Sequence, residues 1–192
     1  MSAASPASSA PKILPLPGGE GRGEGGRLTK PFFSAPGHVA RLQSLIPPWL
    51  GTPFLESCGG RAKPGVSADC CWIAVPLQQC GAIGAVPWPS RYVSRGGGPA
   101  MLEKLLEILD GTERLMCIWS RPTHGPLTSD LRPLAFLPGD VLLYTTGTRL
   151  HHLGLLINAT QFVHSWSGKI QLASVADQRE RFLFAVYRAY AP

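Results

Sequence analysis

The sequence predicts an α+β domain, because helical patterns dominate its first half and strand-like patterns dominate its second half. The helical segments precede the strand segments instead of alternating with them, which favours helices packed on a central antiparallel β-sheet. A length of 192 residues fits one domain with one sizeable core. We expect residues 1–29, rich in Ser, Ala, Pro and Gly, to be a disordered tail and residues 30–192 to fold.

Three segments of the first half have the features of helices. Residues 37–46 carry apolar side chains at helical spacing and end before two consecutive prolines. Residues 70–80 form a second apolar segment, in which Pro76 is expected to kink the helix or delay its start. Residues 99–109 begin with proline and place four leucines on one face.

The second half contains six short strand-like runs. Two of them, on either side of residues 158–160, are expected to form a hairpin. A three-residue turn there would pair Ile157 with Gln161 and make His152 and His164 diagonal neighbours on one face, whereas a two-residue turn would put them on opposite faces. The six runs cover residues 115–119, 141–145, 152–157, 161–165, 170–174 and 182–190.

Charge and composition narrow the choice of partners. A net charge of +6 and a pI near 9.3 are compatible with nucleic acid, an anionic cell-wall polymer or a membrane surface as partner. No Lys/Arg run lies beside an aromatic patch, so no nucleic-acid partner is predicted. No apolar run is long enough to span a membrane. A basic domain without a charged partner is about equally compatible with these values.

The five cysteines are odd in number, irregularly spaced and without paired CxxC units, so no structural zinc site is predicted. The N-terminus has no signal-peptide pattern. Together with the odd number of cysteines, this favours synthesis in a reducing cytoplasm. Action outside the cell would then require another route, such as lysis or packaging in a particle.

Cys70 is the candidate nucleophile. It follows a glycine-containing loop and Asp69, and it opens the second predicted helix, where the helix N-terminus and a neighbouring imidazolium can lower a thiol pKa. Cys71 lies about 100° further round the helix and is expected to face the core. We expect the other cysteines to be small buried hydrophobic residues: Cys58, Cys80 and Cys117.

His152 is the candidate base, because it opens a strand-like run at the edge of the predicted sheet. His164 is the candidate for holding the His152 ring in the tautomer that accepts the thiol proton. His151 should point to the opposite side of the strand and take no part. For the same reason, a metal site built from the three histidines is not favoured.

The order of these motifs resembles that of NlpC-type cell-wall peptidases over about residues 40–190. The resemblance implies a papain-like α+β fold that hydrolyses amide bonds in peptidoglycan stem peptides, often next to a D-γ-glutamyl residue. It implies a Cys70, His152 and His164 triad, with no metal or organic cofactor. The matching motifs are Gly51-Thr52-Pro53-Phe54, Gly59-Gly60, Asp69-Cys70, Pro138-Gly139-Asp140-Val141, His152-Leu153-Gly154, Phe162-Val163-His164 and Ala185-Val186-Tyr187-Arg188.

Three positions depart from the family pattern. Cys71 and Trp72 stand where the family usually has Ser and Gly, and Phe54 stands where it often has Tyr. Trp72, in the first helical turn, is expected to narrow or reshape the cleft. These changes motivate a second hypothesis: a catalytically altered domain that serves as a structural or wall-binding part of a phage tail or similar particle. An acyltransferase or thioesterase would share the first chemical step.

Overall fold

The structure is a computed structural model that describes residues 30–55, 61–87, 99–121, 135–146, 150–166, 168–176 and 183–192. The predicted tail at residues 1–29, Cys58 and the loop at residues 96–98 lie outside the described residues, as does most of the loop between the first two predicted strands.

Each of the three predicted helices is present. They are α1 (Pro36–Leu45), α2 (Ala74–Cys80) and α3 (Pro99–Gly111). A 3₁₀ turn over Cys70–Ile73 precedes α2, so the α-helix begins later than residue 70. Pro76 is the third residue of α2, where the missing N–H costs no intrahelical hydrogen bond.

Two further 3₁₀ turns, Phe32–Ser34 and Pro47–Trp49, flank α1. Within the described part of the chain, no helix is long and apolar enough to cross a bilayer.

A six-stranded antiparallel sheet completes the fold and confirms the predicted α+β class. The strand order is β1-β6-β2-β3-β4-β5, so the chain returns from the β5 edge to insert β6 between β1 and β2. The strands are β1 (Leu115–Ser120), β2 (Val141–Thr146), β3 (Leu150–Leu156), β4 (Gln161–Trp166), β5 (Lys169–Ser174) and β6 (Leu183–Ala189).

The two faces of the sheet bury different cores, because alternate residues of a strand point to opposite faces. On the helix face, the strands pack with the helices in the larger core, through Val141, Leu143, Leu153, Leu155 and Val163. A cavity of about 20 Å³ remains between α2, α3 and this face. The second face holds a smaller core, which includes Leu142, Tyr144, Leu156 and Phe162.

An additional segment extends the sheet beyond β5 and leads to Cys70. Pro53 forms an antiparallel bridge with Lys169, and Phe54 forms a parallel bridge with Ala68. Residues 50–55 and 61–69 therefore make a short ribbon along the β5 edge, which we call the entry ribbon. It ends one residue before Cys70.

A buried ion pair joins the start of β2 to β6. The Asp140 carboxylate is 1% exposed and accepts hydrogen bonds from Arg188 Nε and Nη2, both at 2.8 Å. It also accepts one from the Leu137 backbone N–H at 2.9 Å. Burial raises the pKa of Asp140, while Arg188 acts in the opposite direction and favours the ionised form. This pair fixes the turn from which β2 enters the sheet.

Replacing Arg188 with Met should lower the free energy of unfolding by about 3 kcal/mol, because the buried Asp140 carboxylate loses its counter-charge. Thermal and urea unfolding would measure the change. Lys104→Met is the matched control, since Lys104 pairs with Glu107 at the surface, and such pairs contribute about 0.5 kcal/mol. Equal stability of Arg188→Met and the parent protein would contradict the structural role of the pair.

Candidate active site

Cys70 begins the 3₁₀ turn that precedes α2, at a capped helix start. Asp69 has an extended backbone, and its Oδ1 accepts a hydrogen bond from the Cys71 N–H at 2.9 Å. The Cys70 N–H makes no hydrogen bond to any described residue, so it is the donor left available at this helix start. The Cys70 side chain is only 6% exposed.

The other residues of this turn fill the core. Cys71 is buried and lines the cavity beside Leu153, as its predicted orientation requires. Trp72 is fully buried, and its ring centroid lies 4.9 Å from that of Trp49. The Trp72 ring packs inward, because the turn directs this position to the core. That Trp72 narrows or reshapes the cleft stays a prediction.

Two of the remaining cysteines test the prediction of buried thiols. Cys80 is buried, as expected, and burial raises its pKa. Cys117 is exposed, so the prediction is wrong there. It lies on β1, an edge strand, where one side of the strand has no neighbour in the sheet.

His152 and His164 lie together, as the three-residue turn predicts. Gly154 pairs with His164 and Leu156 with Phe162, and this register places His152 diagonally across from His164. The ring centroids of the two histidines are 5.0 Å apart, at an interplanar angle of 67°. The predicted hairpin register is thus confirmed.

The turn itself accounts for this register. Asn158 Oδ1 accepts hydrogen bonds from the Thr160 and Gln161 backbone N–H groups, each at 2.9 Å. The Ile157 N–H donates to the Gln161 carbonyl oxygen at 3.0 Å. An asparagine that bonds to the backbone two and three residues ahead is a typical turn former, so Asn158 selects the loop length.

The ring of Phe162 packs against the histidine pair. The Phe162 ring centroid lies 4.8 Å from that of His164 and 5.4 Å from that of Tyr144. Gly154 makes room for this packing, because a Cβ added there would lie 2.6 Å from Phe162 Cδ2. A side chain at residue 154 would clash with the Phe162 ring.

Both imidazoles are held in the neutral state. Burial, together with the electrostatic effect of His164, lowers the pKa of His152 to about 3. Burial lowers the pKa of His164 to about 4. A neutral imidazole can accept a proton through one nitrogen while the other donates a hydrogen bond.

The structure brings the two histidines together and places Cys70 on an adjoining element. The turn Cys70–Ile73 packs against both β3 and β4. However, strand alternation puts His152 and His164 on the second face with Phe162, whereas Cys70 is buried in the larger core of the helix face. Among the described residues, no hydrogen bond joins the Cys70 thiol to either ring.

His151 takes the opposite orientation to His152 along β3, as predicted, and is also buried. Within the described ranges, no group of three or more His, Cys, Asp or Glu side chains is arranged to hold a metal ion.

Comparisons with known proteins identify distant similarity to solved structures. No family model matches the chain, and no curated protein matches it. The structure of NlpC1 from Trichomonas vaginalis matches 81% of this chain and 44% of its own chain, with 14% sequence identity and a TM-score of 0.43. The chain thus spans less than half of that protein, and any activity has to be argued from the site.

Acid should destabilise the fold through the histidine pair. Both folded-state pKa values lie below the ordinary value of about 6.5, so the unfolded chain takes up protons first as the pH falls. The full contribution to stability is present above pH ~6.5 and is lost as the pH falls, down to about 4 for His164 and about 3 for His152. The slope is up to about 1.4 kcal/mol per pH unit for each ring. Urea unfolding of the parent and of a His152→Asn/His164→Asn variant would measure this slope. Equal slopes in the two proteins would contradict the assignment.

Proposed function

We propose that this protein is a cysteine hydrolase that cleaves amide bonds in peptidoglycan stem peptides. The Cys70 sulfur attacks the carbonyl carbon, His152 accepts the thiol proton and returns it to the leaving amine, and His164 orients His152. Water then hydrolyses the acyl-enzyme and restores the thiol. The observation that carries the proposal is the packing of the Cys70 turn against the two strands that hold the contacting histidines.

The start of the helix supports the first step. The available Cys70 N–H is a suitable donor to the oxyanion that forms when the carbonyl is attacked. Cys71 lacks such a donor, because its N–H is bonded to Asp69 Oδ1.

The histidine pair supports the proton transfers. His152 is neutral and therefore able to accept a proton. His164 is positioned by the hairpin and by Phe162, so its ring can restrict that of His152. Catalysis requires the Cys70 sulfur and a His152 ring nitrogen to lie within hydrogen-bond reach, about 2.6–3.2 Å. The His152 ring therefore has to reach the helix face, in whose core Cys70 is buried.

Cys70→Ala should reduce the release of stem-peptide fragments from purified cell walls by at least about a thousand-fold, because the nucleophile is lost. Mass spectrometry of the soluble products would measure the rate. Cys71→Ala is the matched control: it removes the neighbouring thiol and should retain activity within about threefold. Undiminished release by Cys70→Ala would remove Cys70 from the mechanism.

A second candidate function is a binding domain with the same fold and no hydrolytic activity. The observation that favours it is the placement of the histidine pair on the second face, away from the core that contains Cys70. In that case the protein would bind the wall or form part of a phage tail or similar particle without cleaving a bond.

The pH dependence of alkylation separates the two functions. An activated Cys70 should react with iodoacetamide with an apparent pKa at least one unit below the ordinary thiol value of about 8.5. Peptide mapping after reaction would assign the modified cysteine, and Cys70→Ala gives the background from Cys117. Alkylation of Cys70 with an ordinary thiol pKa, together with no wall hydrolysis, would support the binding domain instead.

A further inference from the structure

Most of the large apolar side chains that the described structure exposes lie in one region. Leu50, Phe54, Leu55 and Val66 belong to the entry ribbon, and Leu172 lies on β5 beside it. Val66 is the most exposed of them, at 65%. Exposed apolar residues that are scattered singly need no explanation, whereas a contiguous set marks a contact surface.

Hydrogen bonds bring the segments that carry these residues side by side. The Gly51 N–H donates to the Ile170 carbonyl oxygen at 2.9 Å, which places Leu50 alongside the part of β5 that carries Leu172. The Leu55 N–H donates to the Ala68 carbonyl oxygen, also at 2.9 Å. The Gly65 N–H donates to Thr52 Oγ1 at 2.8 Å, which holds the turn that includes Val66 against residues 50–55.

The same ribbon carries positive charge. Arg61 and Lys63 are exposed, and Lys63 pairs with Ser67 across the turn that includes Val66. Asp69, the one carboxylate among the described residues of the ribbon, is buried at the helix cap. The surface is therefore apolar and cationic, and an anionic ligand with apolar side chains is complementary to it.

We propose that the entry ribbon is a docking surface for an anionic peptide with apolar side chains, which it delivers to Cys70. The ribbon ends at Asp69, directly before the proposed nucleophile, so a peptide bound along it reaches that residue. The inference rests on the proposed function for the cleavage of the peptide, but not for its binding.

Three synthetic heptapeptides would test the surface by isothermal titration calorimetry with the full-length Cys70→Ala protein. The first is Glu-Ala-Leu-Ala-Leu-Ala-Glu, the second has Gln for Glu, and the third has Ser for Leu. The first should bind about tenfold more tightly than either of the others, because both charge and apolar contacts contribute. Equal affinity for all three peptides would overturn the proposal.

Variants then locate the binding. Val66→Asp and Lys63→Glu should each weaken binding of the first peptide about tenfold, while Met116→Asp should leave it unchanged. Met116 is the matched control because it is also exposed, but on β1 at the other edge of the sheet. Circular dichroism would verify that each variant is folded, and Leu172→Asp replaces Val66→Asp if that variant unfolds. Unchanged affinity in folded Lys63→Glu and Leu172→Asp would overturn the proposal.

Other occupants of the surface give different outcomes. If Val66→Asp converts a dimer to a monomer in sedimentation without affecting peptide affinity, the surface is a self-association site and the proposal is wrong. If Val66→Asp instead loses binding to phosphatidylglycerol vesicles and keeps its peptide affinity, the surface binds membranes and the proposal is also wrong. Failure of the proposed hydrolysis appears separately, as wall-fragment release that does not depend on Cys70.

Discussion

The register of the β3–β4 hairpin is the constraint on which the candidate site depends. Asn158 closes a three-residue turn, and this loop length sets which residues of the two strands face each other. Because side chains alternate with a period of two, a shift of one residue would move His164 to the helix face and separate it from His152. The contact between the two rings thus follows from a short turn two residues beyond the end of β3.

Packing converts this register into a rigid arrangement. Gly154 lets Phe162 lie across the strands, and Phe162 in turn contacts His164. Burial of the pair keeps both rings uncharged, which makes them proton acceptors but also costs stability in acid. The same burial therefore keeps the imidazoles able to accept protons and makes the stability of the fold depend on pH.

The helix with Cys70 and the histidine hairpin are joined by the chain that runs along β5. Residues 50–55 pair with β5, residue 68 pairs with residue 54, and Cys70 follows two residues later. This path places the thiol beside β3 and β4 without a long loop between them. It also leaves apolar and basic side chains exposed along the approach to Cys70, where a peptide can lie.

The sequence by itself determined the element types, because periodicity, prolines and turn residues act locally. Residues 99–109 and the hairpin around Asn158 are examples in which local patterns sufficed, and they include the histidine contact. The tertiary structure decided three other features. These are the inward packing of Trp72, the exposure of Cys117 and the burial of β3 side chains on both faces of the sheet. A residue's burial depends on which elements cover it, and coverage arises from contacts between segments far apart in the chain, which local patterns do not encode.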